Sequence, residues 1–318
     1  MDNKLYVSSA PHVRHKDSTS HIMLLVIVAL LPSCLFGIYN FGYKAVILMA
    51  ATVITAVVSE MLFNLCVHKK QTINDFSAVV TGLLLAMNLP AELPVWEAML
   101  GAVFAIVVVK CLFGGLGQNF MNPALGARCF LLIAFAADMT NFSCDAYSGA
   151  TPLALIRENN GLIPENLKVM DMLLGNTSGT IGETSAIAIL IGALILVIFG
   201  IIDFKIPFAY IITFSIFMLC FGANPGNLNY LTAQLCGGGL MLGAFFMATD
   251  YVTSPITPRG KVLFGISCGL FTGLFRCFGA NAEGVSFAII LSNLLVPLIE
   301  KITIPRPFGV VKEAKKNE

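Results

Sequence analysis

Thr81-Gly-Leu-Leu-Leu-Ala-Met-Asn-Leu-Pro90 and Gly243-Ala-Phe-Phe-Met-Ala-Thr-Asp-Tyr-Val-Thr-Ser-Pro255 are two versions of one pattern. Each runs Gly, three apolar residues, an Ala and a Met in either order, a polar residue and then a Pro. A second pair follows the same logic. Gly117-Gln-Asn-Phe-Met-Asn-Pro-Ala-Leu-Gly-Ala-Arg-Cys-Phe130 and Phe278-Gly-Ala-Asn-Ala-Glu-Gly-Val-Ser-Phe287 share an Asn, then Ala, Gly and Phe at similar spacing. Both pairs sit in apolar sequence, and Gly and Pro interrupt it at corresponding places. Paired broken apolar segments in two halves of a chain are the mark of an internal repeat with a central site.

The surrounding composition is that of a membrane protein. Of 318 residues, 57% are hydrophobic and 12% charged, and the mean hydropathy is +0.84. Soluble domains carry about 25% charged residues. The net charge of +1 supplies no basic domain to neutralise phosphates, which excludes nucleic acid as a partner. Ten apolar segments are legible: 22–38, 44–67, 77–90, 96–113, 122–138, 185–203, 206–222, 231–249, 261–278 and 283–300. The third is short and ends in Asn88-Leu-Pro-Ala-Glu-Leu-Pro94, as a half-helix would. The repeated patterns are offset by five segments. An odd offset gives the two halves opposite orientation, so the expected fold is an all-α membrane protein of about ten transmembrane helices in two inverted five-helix repeats.

Charge sets the orientation. With the N-terminus in the cytoplasm, fourteen basic residues face inside: Lys4, Arg14, Lys16, Lys69, Lys70, Lys110, Lys205, Arg259, Lys261, Lys301, Arg306, Lys312, Lys315 and Lys316. Four face outside (Lys44, Arg157, Lys168 and Arg276), and Arg128 lies within a span. Both termini are therefore expected in the cytoplasm. Trp96 falls at the outer end of segment four. The polar first twenty residues are followed by no small-residue cleavage site, so the first apolar segment reads as a retained span. The expected division is a cytoplasmic segment 1–21, a first repeat 22–138, an extracytoplasmic loop 139–184, a second repeat 185–300 and a cytoplasmic tail 301–318.

Nine cysteines without any C-x-x-C offer neither a zinc site nor an iron–sulfur run and read as packing residues. There is no G-x-G-x-x-G after a strand and no P-loop. Nothing suggests a nucleophilic triad, so no catalytic residue and no metal ligand is assigned. Charged residues within spans are functional candidates. Arg128 and Glu60 are expected either to pair or to leave Arg128 available to another negatively charged group. Asp75 and Asp250 flank the two broken segments. Gly114-Gly-Leu-Gly117 and Gly237-Gly-Gly239 are expected to allow close helix packing.

The long loop holds Asp145-Ala-Tyr-Ser-Gly-Ala-Thr-Pro152. Thr151 suits a helix N-cap, and Pro152 suits the first helical position. A phosphate on the Thr151 oxygen would meet free backbone N–H groups. Arg157 is near in sequence but falls toward the far end of so short a helix.

Asp145, Ser148, Gly149, Ala150 and Thr151 resemble, without a gap, the D-x-x-S-G-A-T flavinylation motif recognised by an exported flavin transferase. That enzyme joins the phosphate of FMN to the Thr hydroxyl. The whole chain resembles the RnfD family, membrane components of the Rnf ion-translocating electron-transport complexes. It more distantly resembles NqrB of the sodium-pumping NADH:quinone reductases. The resemblance implies covalent FMN on Thr151 and a non-covalent riboflavin in the membrane region. It also implies Rnf partner subunits A, B, C, E and G, maturation by the flavin transferase, and electron flow between ferredoxin and NAD coupled to Na⁺ or H⁺. It implies a translocase component with no complete active site of its own, in the cytoplasmic (inner) membrane of a bacterium or archaeon, and makes Arg128 a candidate to balance a reduced flavin's negative charge. A quinone-reductase component, or a solute channel or transporter of inverted-repeat type, would share the broken helices. A transporter would have no use for Asp145–Thr151.

Overall fold

The computed structural model describes residues 18–142, 150–164, 167–279 and 284–305. These residues form helices and their connections, with no strand among the described residues. The longest element, α1 (Thr19–Cys66), spans 48 residues and is broken at Gly42, whose φ of 66° and ψ of −147° lie outside helical values. A straight helix of that length would reach about 72 Å. Its two ends instead meet. The Ser20 hydroxyl donates to the Asn74 carbonyl at 2.8 Å, and the Asn64 amide donates to Thr72 Oγ1 at 3.1 Å. The helix therefore folds back at Gly42 into two limbs, each about 35 Å long, enough to cross a hydrocarbon core of about 30 Å. Segments one and two are these limbs.

A single turn at 73–75 leads to α2 (Ser77–Met87), which ends where Asn88-Leu-Pro interrupts the pattern. α3 (Val95–Val103) runs on through a π-helical stretch, Phe104–Cys111. α4 (Pro123–Ala134) is capped by the Asn122 side chain, which accepts from Ala124 N and Leu125 N. It breaks at Phe135 and resumes as α5 (Ala136–Met139). The connecting region carries α6 (Pro152–Glu158) and α7 (Val169–Leu174). α8 (Ala186–Ile198) and α9 (Lys205–Phe221) follow. α10 (Leu228–Cys236) is separated by glycines from α11 (Leu240–Leu242), which continues as a π-helical stretch through Met247. The two pieces are bent by 63°. α12 (Pro258–Phe278) and α13 (Val285–Thr303) complete the chain. Every one of the ten apolar segments holds a helix. By length and composition alone, α1, α12 and α13 can cross a membrane, and the bent pair makes a fourth candidate.

Apolar residues do not drive helices together within lipid, so close packing must. α12 presents Gly265, Gly269 and Gly273 at four-residue spacing to α9. A Cβ on Gly269 would lie 2.7 Å from the Tyr210 carbonyl oxygen and 2.9 Å from Phe214 N. Gly82 on α2 meets the Thr52–Ala56 stretch of α1, and Gly192 on α8 meets the Ala29 carbonyl. The two glycine clusters expected to pack behave differently from each other. Gly114-Gly-Leu-Gly117 is a turn with three glycines at positive φ rather than a packing face. Gly237 does pack, against Leu153, at the α10–α11 break.

Two charges stand elsewhere than expected. Lys110, counted as an inner-surface charge, is 2% exposed. Its Nζ lies 3.0 Å from both Glu60 carboxylate oxygens and 2.6 Å from Ser77 Oγ. Glu60 thus pairs with Lys110 and not with Arg128. Arg276, counted as an outer-loop charge, is buried beneath the α10–α11 break. It donates to the carbonyl of Gln234, to its side-chain oxygen (3.1 Å), and to the carbonyls of Gly237 (2.9 Å) and Gly238 (3.2 Å). The ring of Phe214 lies 5.1 Å from its guanidinium carbon. An unwound backbone at membrane depth requires such donors, because lipid offers none.

Candidate functional site

Thr151 opens α6 as its sequence predicts. Its Oγ1 accepts from Ala154 N at 3.4 Å, and Pro152 occupies the first helical position. Ser178 Oγ donates to the Ala150 carbonyl at 3.0 Å. Thr151 is buried, and its side chain borders a cavity of about 300 Å³. The cavity walls come from distant parts of the chain: Arg128 and Leu132 of α4, Met139 of α5, Arg157 of α6, and Ser286 and Phe287 of α13. Arg157 therefore shares a cavity with Thr151, although its place on α6 pointed away. It also donates to the Gly279 carbonyl. Asp145, Ser148 and Gly149 of the motif lie outside the described residues.

Arg128 is the polar centre of this region. Its Nη1 lies 3.0 Å from Asn88 Oδ1, 3.1 Å from Glu183 Oε1 and 3.2 Å from Ser286 Oγ. These partners come from the end of α2, the connecting region and α13. Sequence reasoning singles out Arg128 but cannot name Glu183 as its partner. The 180–183 stretch is in turn stitched to the end of α2, through Ile181 N to the Leu89 carbonyl (3.1 Å) and Gly182 N to the Met87 carbonyl (2.8 Å). The Glu183 carboxylate also sits directly over Gly239, where a Cβ would come within 2.1 Å of Oε1. One carboxylate thus touches Arg128 and the break in α10–α11. A small void between the α6 start and Gly237–Gly238 is lined by both Thr151 and Glu183.

The broken helices also meet each other. The Asn88 amide approaches Met247 Sδ at 3.8 Å, and the Asn122 amide donates to the Met247 carbonyl at 3.3 Å. Asp75 accepts from Ser77 N at 2.8 Å, at the start of α2. Asp250 accepts from Val252 N and Thr253 Oγ1. It lines a second cavity of about 100 Å³, with Thr249, Asn119 and Asn122. Among the described residues no group of His, Cys, Asp or Glu could hold a metal ion.

A family model described as the NQR2, RnfD, RnfE family matches residues 6–309. The chain belongs to this family. A relative from Acetobacterium woodii, named as the D subunit of a Na(+)-translocating ferredoxin:NAD(+) oxidoreductase complex, is 47% identical over 98% of both chains. One from Clostridium ljungdahlii, named as the D subunit of a proton-translocating ferredoxin:NAD(+) oxidoreductase complex, is 39% identical over 96% of this chain and 97% of its own. A relative from Methanosarcina acetivorans, named as the D subunit of an ion-translocating oxidoreductase complex, is 35% identical over the same shares. All three relatives are oxidoreductase complex subunits by name.

Proposed function

We propose that this chain is the D subunit of an ion-translocating ferredoxin:NAD⁺ oxidoreductase complex and carries FMN in phosphoester linkage on Thr151. The observation that carries the assignment is the full-length similarity to subunits of that name, at 47% identity. In this reading it sits in the cytoplasmic membrane as two inverted halves of five helices, with both termini inside and the 139–184 loop outside. It assembles with Rnf subunits A, B, C, E and G. Relatives are named for Na⁺ and for protons, so either ion fits the family.

The residues around Thr151 fit a tethered flavin. Among the described residues the hydroxyl oxygen makes one long hydrogen bond, and Thr151 lines a cavity that is apolar at Leu132, Met139 and Phe287 and cationic at Arg128. A flavin has the same two sides, an apolar ring system and a polar edge that gains negative charge. When bound, it supplies one- and two-electron transfer; the protein supplies tether, orientation and charge. Asp145, Ser148, Gly149 and Ala150 serve recognition by the flavin transferase in this reading. A non-covalent riboflavin in the membrane region belongs to the same proposal.

The test is activity of inverted membrane vesicles from cells carrying a tagged chain. Ferredoxin-dependent NAD⁺ reduction should purify with the tag, and Thr151→Ala should abolish it while the subunits still copurify. Quinone-dependent NADH oxidation purifying with the tag instead would give the assignment to the quinone-reductase branch.

A further inference from the structure

The cavity at Thr151 is also lined by a buried positive charge, Arg128, and that charge already has a counter-ion. Arg128 is 4% and Glu183 6% exposed. In surroundings this dry, charges act on one another far more strongly than in water. Of the charged side chains lining the cavity, Arg128 sits on a membrane helix, while Arg157 and Glu158 end the short α6 and are exposed. Arg128 also borders the apolar walls at Leu132 and Phe287 that suit a flat ring. Two electrons and one proton, the electrons taken from a one-electron carrier protein and the proton from water, leave a flavin ring with one negative charge on its pyrimidine edge.

Resting on the Thr151 reading, we propose that Arg128 is the cavity's receptor for that edge and sets the flavin's reduction potential, with Glu183 as the balancing charge. At rest the guanidinium is shared by Glu183, Asn88 and Ser286. Reduction adds a second anion that competes for it. Because Glu183 also rests on Gly239, the competition bears on the break between α10 and α11. The two residues must therefore act on the potential with opposite signs. Removing Arg128 makes the ring harder to reduce, and neutralising Glu183 makes it easier.

The experiment is a dye-equilibrated dithionite titration of the purified complex, followed by visible absorbance, with the Thr151→Ala complex subtracted to isolate this flavin. Arg128→Gln alone would strand the Glu183 carboxylate, so Arg128→Gln/Glu183→Gln is the first variant. Its amides keep the hydrogen bonds without charge. At fixed potential its reduced-to-oxidised ratio should fall by about tenfold relative to Glu183→Gln alone, about 30 mV for a two-electron couple. Glu183→Gln alone should move the ratio the other way from wild type, and Arg128→Lys should stay near wild type. In-gel fluorescence on the same samples should show flavin retained in all three. Equal potentials in every flavin-bearing variant, or shifts of one sign, would overturn the proposal. A dark wild-type band would overturn the Thr151 reading beneath it.

Discussion

Lys110→Met tests the burial argument where its geometry is best defined. Nζ is 3.0 Å from each Glu60 oxygen, and Thr72 Oγ1 adds a further donor to Oε1 at 2.7 Å. With Lys110 gone, Thr72 is the remaining donor, among the described residues, to a carboxylate that is 3% exposed. Stranding one member of a buried pair costs about 3–5 kcal/mol. That is a fall of about two to three and a half powers of ten in the folding equilibrium. Lys110→Met/Glu60→Gln removes both charges and keeps an acceptor for Thr72, and replacing a whole buried pair is about neutral or stabilising. The assay is unfolding in mixed micelles at rising SDS fraction, read by helix content. The single variant should unfold at a much lower fraction than wild type, and the double variant close to it. A double variant as weak as the single would refute the reasoning. It would mean that packing of the Lys110 stem, and not charge compensation, holds this end of the first half.

Other expectations follow from the same structure. Gly269→Val would drive a side chain into the α9 backbone at Tyr210 and Phe214 and should cost about 1–3 kcal/mol or more in the same assay. Gly115→Ala, where a Cβ meets nothing within 4 Å, should show only the strain of its positive φ. Arg276→Met leaves the carbonyls of Gly237 and Gly238 without this donor. It should destabilise by several kcal/mol and speed proteolysis between α10 and α11, read by limited digestion. In the loop before α9, the hydrogen bond from Lys261 holds the Asp203 carboxyl below its ordinary range. Its stabilisation is therefore present above the ordinary carboxylate pKa and is lost as pH falls through the lowered value. Asp203→Asn should lower the melting temperature slightly at pH 7 and flatten its acid limb, read by thermal unfolding across pH.

The helices are legible because apolar blocks of this length have few other uses, and the third segment ends at its Asn-Leu-Pro; the eighth is broken not within the repeated Gly243–Pro255 pattern but at Gly237–Gly239, where the glycines suggest helix packing. The N-cap role of Thr151 was equally local: Thr-Pro specifies it. What could not be read were contacts between distant positions. Arg128 and Glu60 looked like partners because both are charges within spans. Each instead pairs with a residue whose sequence position suggests a surface or a loop, Arg128 with Glu183 and Glu60 with Lys110. Arg276 looked like an outer-loop charge because nothing in sequence shows that the α10–α11 carbonyls lie beside α12. The fold-back at Gly42 was implied only by segment length. The cavity at Thr151 needs α4, α5, α6 and α13 together, and no local pattern joins four elements.

The most direct test of the central claim is in-gel flavin fluorescence of the denatured chain, made in a host with an active flavin transferase, beside Thr151→Ala. A fluorescent wild-type band and a dark variant of equal protein content are the predicted result. A fluorescent variant would contradict the assignment of Thr151. A dark wild-type band, with the transferase shown to modify another substrate, would contradict the covalent flavin itself.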